Sequence, residues 1–261
     1  MIIKKITRRI NKFLNSNYKI TILRFRGTVS FLRDLRAFRR QKPHETDFPI
    51  TRYDPLIFDK YKENGVFTTH YFVQDLLMAQ SIFYNKPIRH VDIGSRVDGF
   101  VTHVASFRQI EVIDIRPMER QITNVSFRQA DLMKLPEELI NYTDSISSLH
   151  VIEHFGLGRY GDPIDVNGHF KALDNIYLIL KPRGKFYLSV PVGKQGVSFN
   201  AHRLFAVDYL VKLLEERYKI DHFYLIDDDD KLHSDLDAHA PEAVSSFGCN
   251  FGCALFELTK L

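Results

Sequence analysis

From about residue 89 onward, short apolar runs rich in Val, Ile, Phe and Tyr alternate with stretches whose apolar residues recur every three or four positions. The short runs are RHVDIG, IEVIDI, VSFRQA, SISSLHVI, KFYLSVPV, KIDHFYLI and CALFELT. Their length and β-branched and aromatic content predict strands, and helices are expected to start near Phe100, Gly168 and Val207. A further helix is expected over 70–84, with Tyr71, Leu76, Leu77, Met78 and Ile82 as its apolar positions. Strongly apolar strands alternating with helices predict an α/β fold: a mostly parallel sheet covered by helices on both faces.

The N-terminal pattern differs. Ile2, Ile3, Ile6, Ile10, Phe13 and Leu14 form one helical stripe, with Lys4, Lys5, Arg8, Arg9 and Lys12 on the other face. A second such stretch carries Phe25, Val29, Leu32, Leu35 and Phe38. The expected organisation is a basic helical arm over 1–42, a Pro-, Asp- and Gly-punctuated connector over 43–69, and one α/β domain over 70–261.

Composition sharpens this division. The chain has 261 residues, 44% apolar and 26% charged, which is an ordinary globular balance and excludes general disorder, collagen and coiled coil throughout. Thirteen of the 36 basic residues but one of the 32 acids, Asp34, fall in 1–42, so that segment carries +12 and the remainder −8. Three partners fit such an arm: the domain itself or a second subunit, an anionic membrane surface, or nucleic acid. Nucleic acid is the weakest, because no aromatic-plus-basic module accompanies the charge. No apolar run reaches the roughly 20 residues of a membrane span and no secretory signal is visible. Cys249 and Cys253 are too few for a disulfide framework, so reduced, packed thiols and a cytoplasmic location are expected.

The first predicted strand runs into VDIGSRVDGF. Gly94 and Gly99 allow close backbone approach at a strand-to-helix turn, where free N–H groups favour a nucleotide-type ligand. Asp114 ends the second strand, 22 residues after Asp92, where a carboxylate can meet a ribose diol. A dinucleotide fingerprint needs a middle glycine, and Arg96 stands there. The acids Asp92, Asp114 and Asp131, after successive strands, form a different set.

On these residues the chain resembles the class I S-adenosylmethionine-dependent methyltransferases, from about 71 to 261. The resemblance implies a Rossmann-like, seven-stranded, mostly parallel sheet whose last strand, 253–259, is antiparallel. It assigns the cofactor to Asp92, Gly94, Ser95, Arg96, Gly99, Asp114, Ile115, Asp131, Leu132 and His150. The segments GSRVDGF, HVIEHFGLGRYGDPID and NAHR are similar to a narrower methyltransferase-like family, DUF268, associated with surface-glycan genes. That likeness implies O-methylation of a sugar or phosphorylated precursor of a capsular or O-antigen type polysaccharide; membrane contact through the basic arm would put the protein at the inner face of the membrane. A degenerate scaffold of a glycan-assembly complex, and methylation of another small acid, a lipid-linked intermediate or RNA, are the alternatives.

On the acceptor side, His150, Glu153 and His154 are spaced to share a helical face, and His202 follows the fifth strand. Two imidazoles and a carboxylate, with a third imidazole near, would suit a divalent metal such as Mn, Fe, Ni, Zn or Mg. Related metal-dependent methyltransferases carry Glu-x-x-Glu-His at this place. Alternatively these residues fix the loop. His154, His202 and His169 are the candidate bases for a hydroxyl acceptor. Arg159 and Arg203, with Asp165, would hold an anionic acceptor, or pair at the surface. The segment 227–248 would be a lid or a solvated loop, and a homo-oligomer fits the arm.

Overall fold

The computed structural model describes residues 2–41, 50–61, 69–234 and 236–261. The chain divides into two compact units, Met1–Val66 and Phe67–Leu261.

The first unit is built on one helix, α1 (Ile2–Gln41). Two basic helices were expected; a single one forms, because no Pro lies between the two stripes and the Asn, Ser and Thr residues there do not break the hydrogen-bond ladder. The segment 50–61 folds back along it. A Cβ at Gly27 would collide with the Ile57 backbone, so glycine is what admits this close approach. Lys60 then reaches Asp34 at 3.1 Å and Ser30 Oγ at 3.0 Å, and Arg39 donates to the Tyr53 hydroxyl at 2.7 Å.

The second unit opens with α2 (His70–Asn85) and β1 (His90–Ile93). A wide turn, Val97–Val101, irregular at Gly99, leads into α3 (Thr102–Ala105). There follow β2 (Ile110–Asp114), β3 (Val125–Gln129), β4 (Thr143–Leu149), α4 (Gly168–Ile179) and β5 (Leu180–Val192). A small hairpin, β6 (Gly196–Ser198) and β7 (His202–Leu204), precedes α5 (Val207–Glu215). The chain ends with β8 (Tyr218–Ile226), β9 (Leu232–His233) and β10 (Gly252–Lys260).

The main sheet has the order β3-β2-β1-β4-β5-β10-β8-β9. β1 to β5 are parallel, and β10 is antiparallel to both β5 and β8. All seven expected strands are present, but the sheet has eight, because β9 pairs with the end of β8 across the Asp227–Lys231 turn. Two residues of unremarkable composition carry no periodicity, which is why the sequence hides them.

Alternation along each strand feeds two cores. Val91, Ile93, Phe186, Leu188 and Phe256 pack with α4 and α5 on one face. Met78, Ile82, Phe100, Val104, Val112 and Tyr187 pack on the other, with α2 and α3. The segment expected to be a lid or loop instead packs on α5 and contributes Ala238 and Ala243 to the first core. Both cysteines are buried free thiols.

Candidate active site

The turn after β1 is organised from below. Asp92 is fully buried; it accepts hydrogen bonds from Ser95 Oγ and Ser147 Oγ, each at 2.6 Å, and from Ser95 N at 2.9 Å. Ser95 Oγ in turn accepts from Leu149 N at 3.1 Å, which fastens the turn to β4. Burial pushes the Asp92 carboxyl up to about 6, against the lowering effect of these serines. Asp92 was expected to face the cofactor; it lies under the loop and braces it, because its short side chain points into the sheet. Gly94 does form the surface, at φ +66°, and a Cβ there would come within 2.8 Å of Val151. Gly99 is corrected as well. It does not line the cavity: its missing side chain makes room for the Asp75 carboxylate of α2.

Above this turn, at the C-terminal ends of the parallel strands, lies a cavity of about 590 Å³. Gly94, Ser95 and Arg96 line it from the first loop, Asp114 and Ile115 from the end of β2, and Asp131 and Leu132 from beyond β3. Asp114 is held by a two-pronged pair with Arg116, at 2.6 and 3.0 Å. The Arg116 guanidinium lies 4.4 Å above the Tyr160 ring, and its bond to Asp114 raises it further above its ordinary value. Asp131 turns the chain by accepting Met133 N at 2.9 Å. Arg96 pairs with Asp98 at 3.0 Å and lies over the Tyr71 ring.

The other end of the cavity is lined by His150, Glu153, His154, Arg159 and His202. His150 is in the left-handed region, φ +55°, unusual for a residue with a Cβ. Its Nδ1 faces Glu153 Oε1 at 3.0 Å, its Nε2 faces Cys253 Sγ at 3.3 Å, and its ring stacks on His70 at 4.7 Å. Burial disfavours its charged form, yet Cys253 and Glu153 hold it well above the ordinary imidazole range. His70 is pushed down to about 4 by burial and by His150. His154 donates Nδ1–H to the Ala201 carbonyl at 2.6 Å, and burial lowers it, with Glu153 opposing. Glu153 Oε2 is buried and has no hydrogen-bond partner among the described residues.

These bonds correct the metal expectation. Among the described residues no three His, Cys, Asp or Glu side chains are grouped to hold a metal ion. Both nitrogens of His150 and one of His154 face protein partners, so His150, Glu153, His154 and His202 do not present a converging set of free lone pairs.

Three other expectations fall outside the cavity. His169 is buried on α4 against Phe170 and Phe205, and burial takes it down to about 4. Arg203 is buried and donates to the carbonyls of Phe155 at 2.6 Å, Val166 at 3.3 Å and Glu153 at 3.4 Å. Asp165 pairs with Lys171 at 2.5 Å and accepts Asn167 N at the entrance to α4. Polar side chains beside the site thus tie down the loop after β4 rather than a ligand. Asp162 does the same, accepting from the backbone N–H of Gly156, Gly158 and Tyr160. Conversely, Tyr71, expected only as an apolar position of the 70–84 helix, lines the cavity with Tyr160 and Phe251, and single aromatics in a chain with 13% aromatics carry no signal of such a place. Phe251 is positioned by Asp228, which accepts its N–H at 2.9 Å.

The strand order, the antiparallel β10 inserted between β5 and β8 and a cavity over the β1 and β2 ends define the class I methyltransferase fold. Solved structures share it. The cyclase SpnF is 15% identical, with 71% of this chain and 81% of that one covered and a TM-score of 0.51. The 1,6-didemethyltoxoflavin-N1-methyltransferase of Burkholderia thailandensis, with S-adenosylhomocysteine bound, is 13% identical over 72% and 79%, at 0.51. The N-methyltransferase NodS of Bradyrhizobium japonicum WM9, also with S-adenosylhomocysteine, is 14% identical over 80% and 93%, at 0.50. The chain belongs to the family described as Caenorhabditis protein of unknown function, DUF268, which matches residues 100–242, more than half its length. No curated protein matches it in sequence.

Proposed function

We propose that the protein is an S-adenosylmethionine-dependent methyltransferase acting on a hydroxyl of an anionic small molecule. The observation that carries this reading is that the Gly94 turn, Asp114 and Asp131 with Leu132 share one cavity of about 590 Å³, large enough for a cofactor and a small acceptor together. The residues fit the cofactor. The Gly94–Ser95 backbone would hold its amino-acid part, Asp114 its ribose, and Asp131 with Leu132 its adenine. When bound, the cofactor supplies a sulfonium-activated methyl group.

The chain's own residues do the rest. Asp92 and its serines keep the loop rigid, so that the two reactants meet in line. Tyr71, Tyr160 and Phe251 exclude water. His154, whose Nδ1–H is committed to Ala201, presents Nε2 as the proton acceptor, and its lowered affinity for protons keeps it neutral near pH 7. Glu153, whose Oε1 lies 3.6 Å from His154 Nε2, stabilises the imidazolium that this transfer forms, and Arg159 and His202 meet the acceptor's negative charge. A sugar or phosphorylated precursor of a surface polysaccharide satisfies this chemistry, and the family resemblance favours it. No step passes through a metal.

One observation favours a binding-only protein: Arg116 engages both oxygens of Asp114. Calorimetry with S-adenosylhomocysteine separates the two readings. Saturable binding at one site is expected, weakened roughly 10- to 100-fold by Asp114→Ala through loss of charge-assisted hydrogen bonds. Absence of binding by the intact protein would sink the methyltransferase reading.

A further inference from the structure

The first unit is the basic part of the molecule, with 16 bases against six acids over residues 1–66, and none of its described residues lines the cavity. Between Tyr18 and Gln41 helix α1 has two apolar faces. One, with Phe31 and Leu35, flanks the 50–61 segment. The other carries Tyr18, Ile22, Phe25, Val29 and Leu32, at successive spacings of four and three, and every one of them is exposed, Phe25 by 72%. Beside this stripe Arg26, Arg33 and Arg40 repeat at seven-residue spacing, and Arg36 continues its line. All four arginines are exposed. The helix as a whole has twelve basic residues and one acid, Asp34, which is neutralised by Lys60.

We infer that this face of α1 docks on the surface of a bilayer containing anionic lipid. An interfacial helix buries its apolar stripe at the acyl boundary and leaves flanking cations among the head groups. The stripe and the charge both find complements there. Nucleic acid would answer the arginines and leave Ile22, Val29 and Leu32 in water. A second copy would cover the stripe but bring another strongly positive helix against Arg26 and Arg33. No helix among the described residues is long and apolar enough to cross a membrane, so the contact lies in the interface plane.

The test is flotation of the full chain with phosphatidylcholine vesicles, with and without 30% phosphatidylglycerol (about a third of the lipid). Binding to the anionic vesicles only, lost at high salt, is expected. The triple variant Arg26→Gln, Arg33→Gln, Arg40→Gln should bind roughly 100-fold more weakly, since each surface cation contributes about fivefold. Phe25→Ser should weaken binding without changing its salt dependence. Because these side chains are exposed, unchanged circular dichroism checks that each variant folds. Three results would overturn the inference: no binding to either vesicle, tighter binding to an oligonucleotide than to anionic vesicles, or concentration-dependent dimerisation that Phe25→Ser abolishes while vesicles stay unbound.

Discussion

At the scale of single residues, the site depends on groups that never touch a ligand. Asp92 shows this most directly. Its folded carboxyl titrates at about 6 against 3.8 ordinarily, so between those values the folded state binds more protons than the unfolded one. Its contribution to stability is therefore greatest in acid and is lost as pH rises through that window, by about 3 kcal/mol. Asp92→Asn removes this loss. Urea unfolding at pH 4.5 and 7.5 should show the variant gaining on wild type at the higher pH, and an unchanged difference would show that Asp92 ionises without cost. Gly94→Ala forces a Cβ into the left-handed region and against Val151. It should cost about 1–3 kcal/mol in stability and weaken S-adenosylhomocysteine binding. The sequence singled out Asp92 and Gly94, but where each lies needed burial and φ. Gly99 looked the same in the sequence and proved to serve packing against Asp75.

At the scale of elements, the loop between β4 and α4 carries Glu153, His154, Arg159 and Tyr160 into the cavity. Its shape is set by Arg203 from β7 and by Asp162 from within. Arg203→Leu would leave three carbonyls without their buried cationic partner and should destabilise the protein by about 3 kcal/mol. That corresponds to a fall of roughly 6–12 °C in Tm for a domain of this size, which scanning calorimetry would measure. A fall under about 2 °C would mean that water replaces the guanidinium. Strands and long helices were legible because their periodicity spans many residues. The β6–β7 hairpin and β9 were not, since strands of two or three residues hold no period even where their partners are close in sequence.

At the scale of the whole molecule, a basic unit is joined to an acidic one. The cavity belongs entirely to the second, whose stability should therefore respond to ligand. S-adenosylhomocysteine at 100 times its Kd should add about 2.7 kcal/mol, read as a rise in Tm, and Asp114→Ala, binding roughly 10- to 100-fold more weakly, should cut that gain at the same concentration to about 0.4–1.4 kcal/mol. An unshifted wild-type Tm would contradict the proposed cofactor site.

The sequence by itself determined the fold class, the seven main strands along the chain, the glycine turn and the two acids, Asp114 and Asp131, that meet in the cavity, and the charge asymmetry. These are local properties: period, turn chemistry and composition are written in consecutive residues. Tertiary structure alone decided which polar side chains face the cavity. Arg159 and Arg203, or His154 and His169, are equivalent as text. Burial separates them: Arg203 spends its guanidinium on three carbonyls, and His169 is packed on α4 against Phe170 and Phe205, away from the cavity lining.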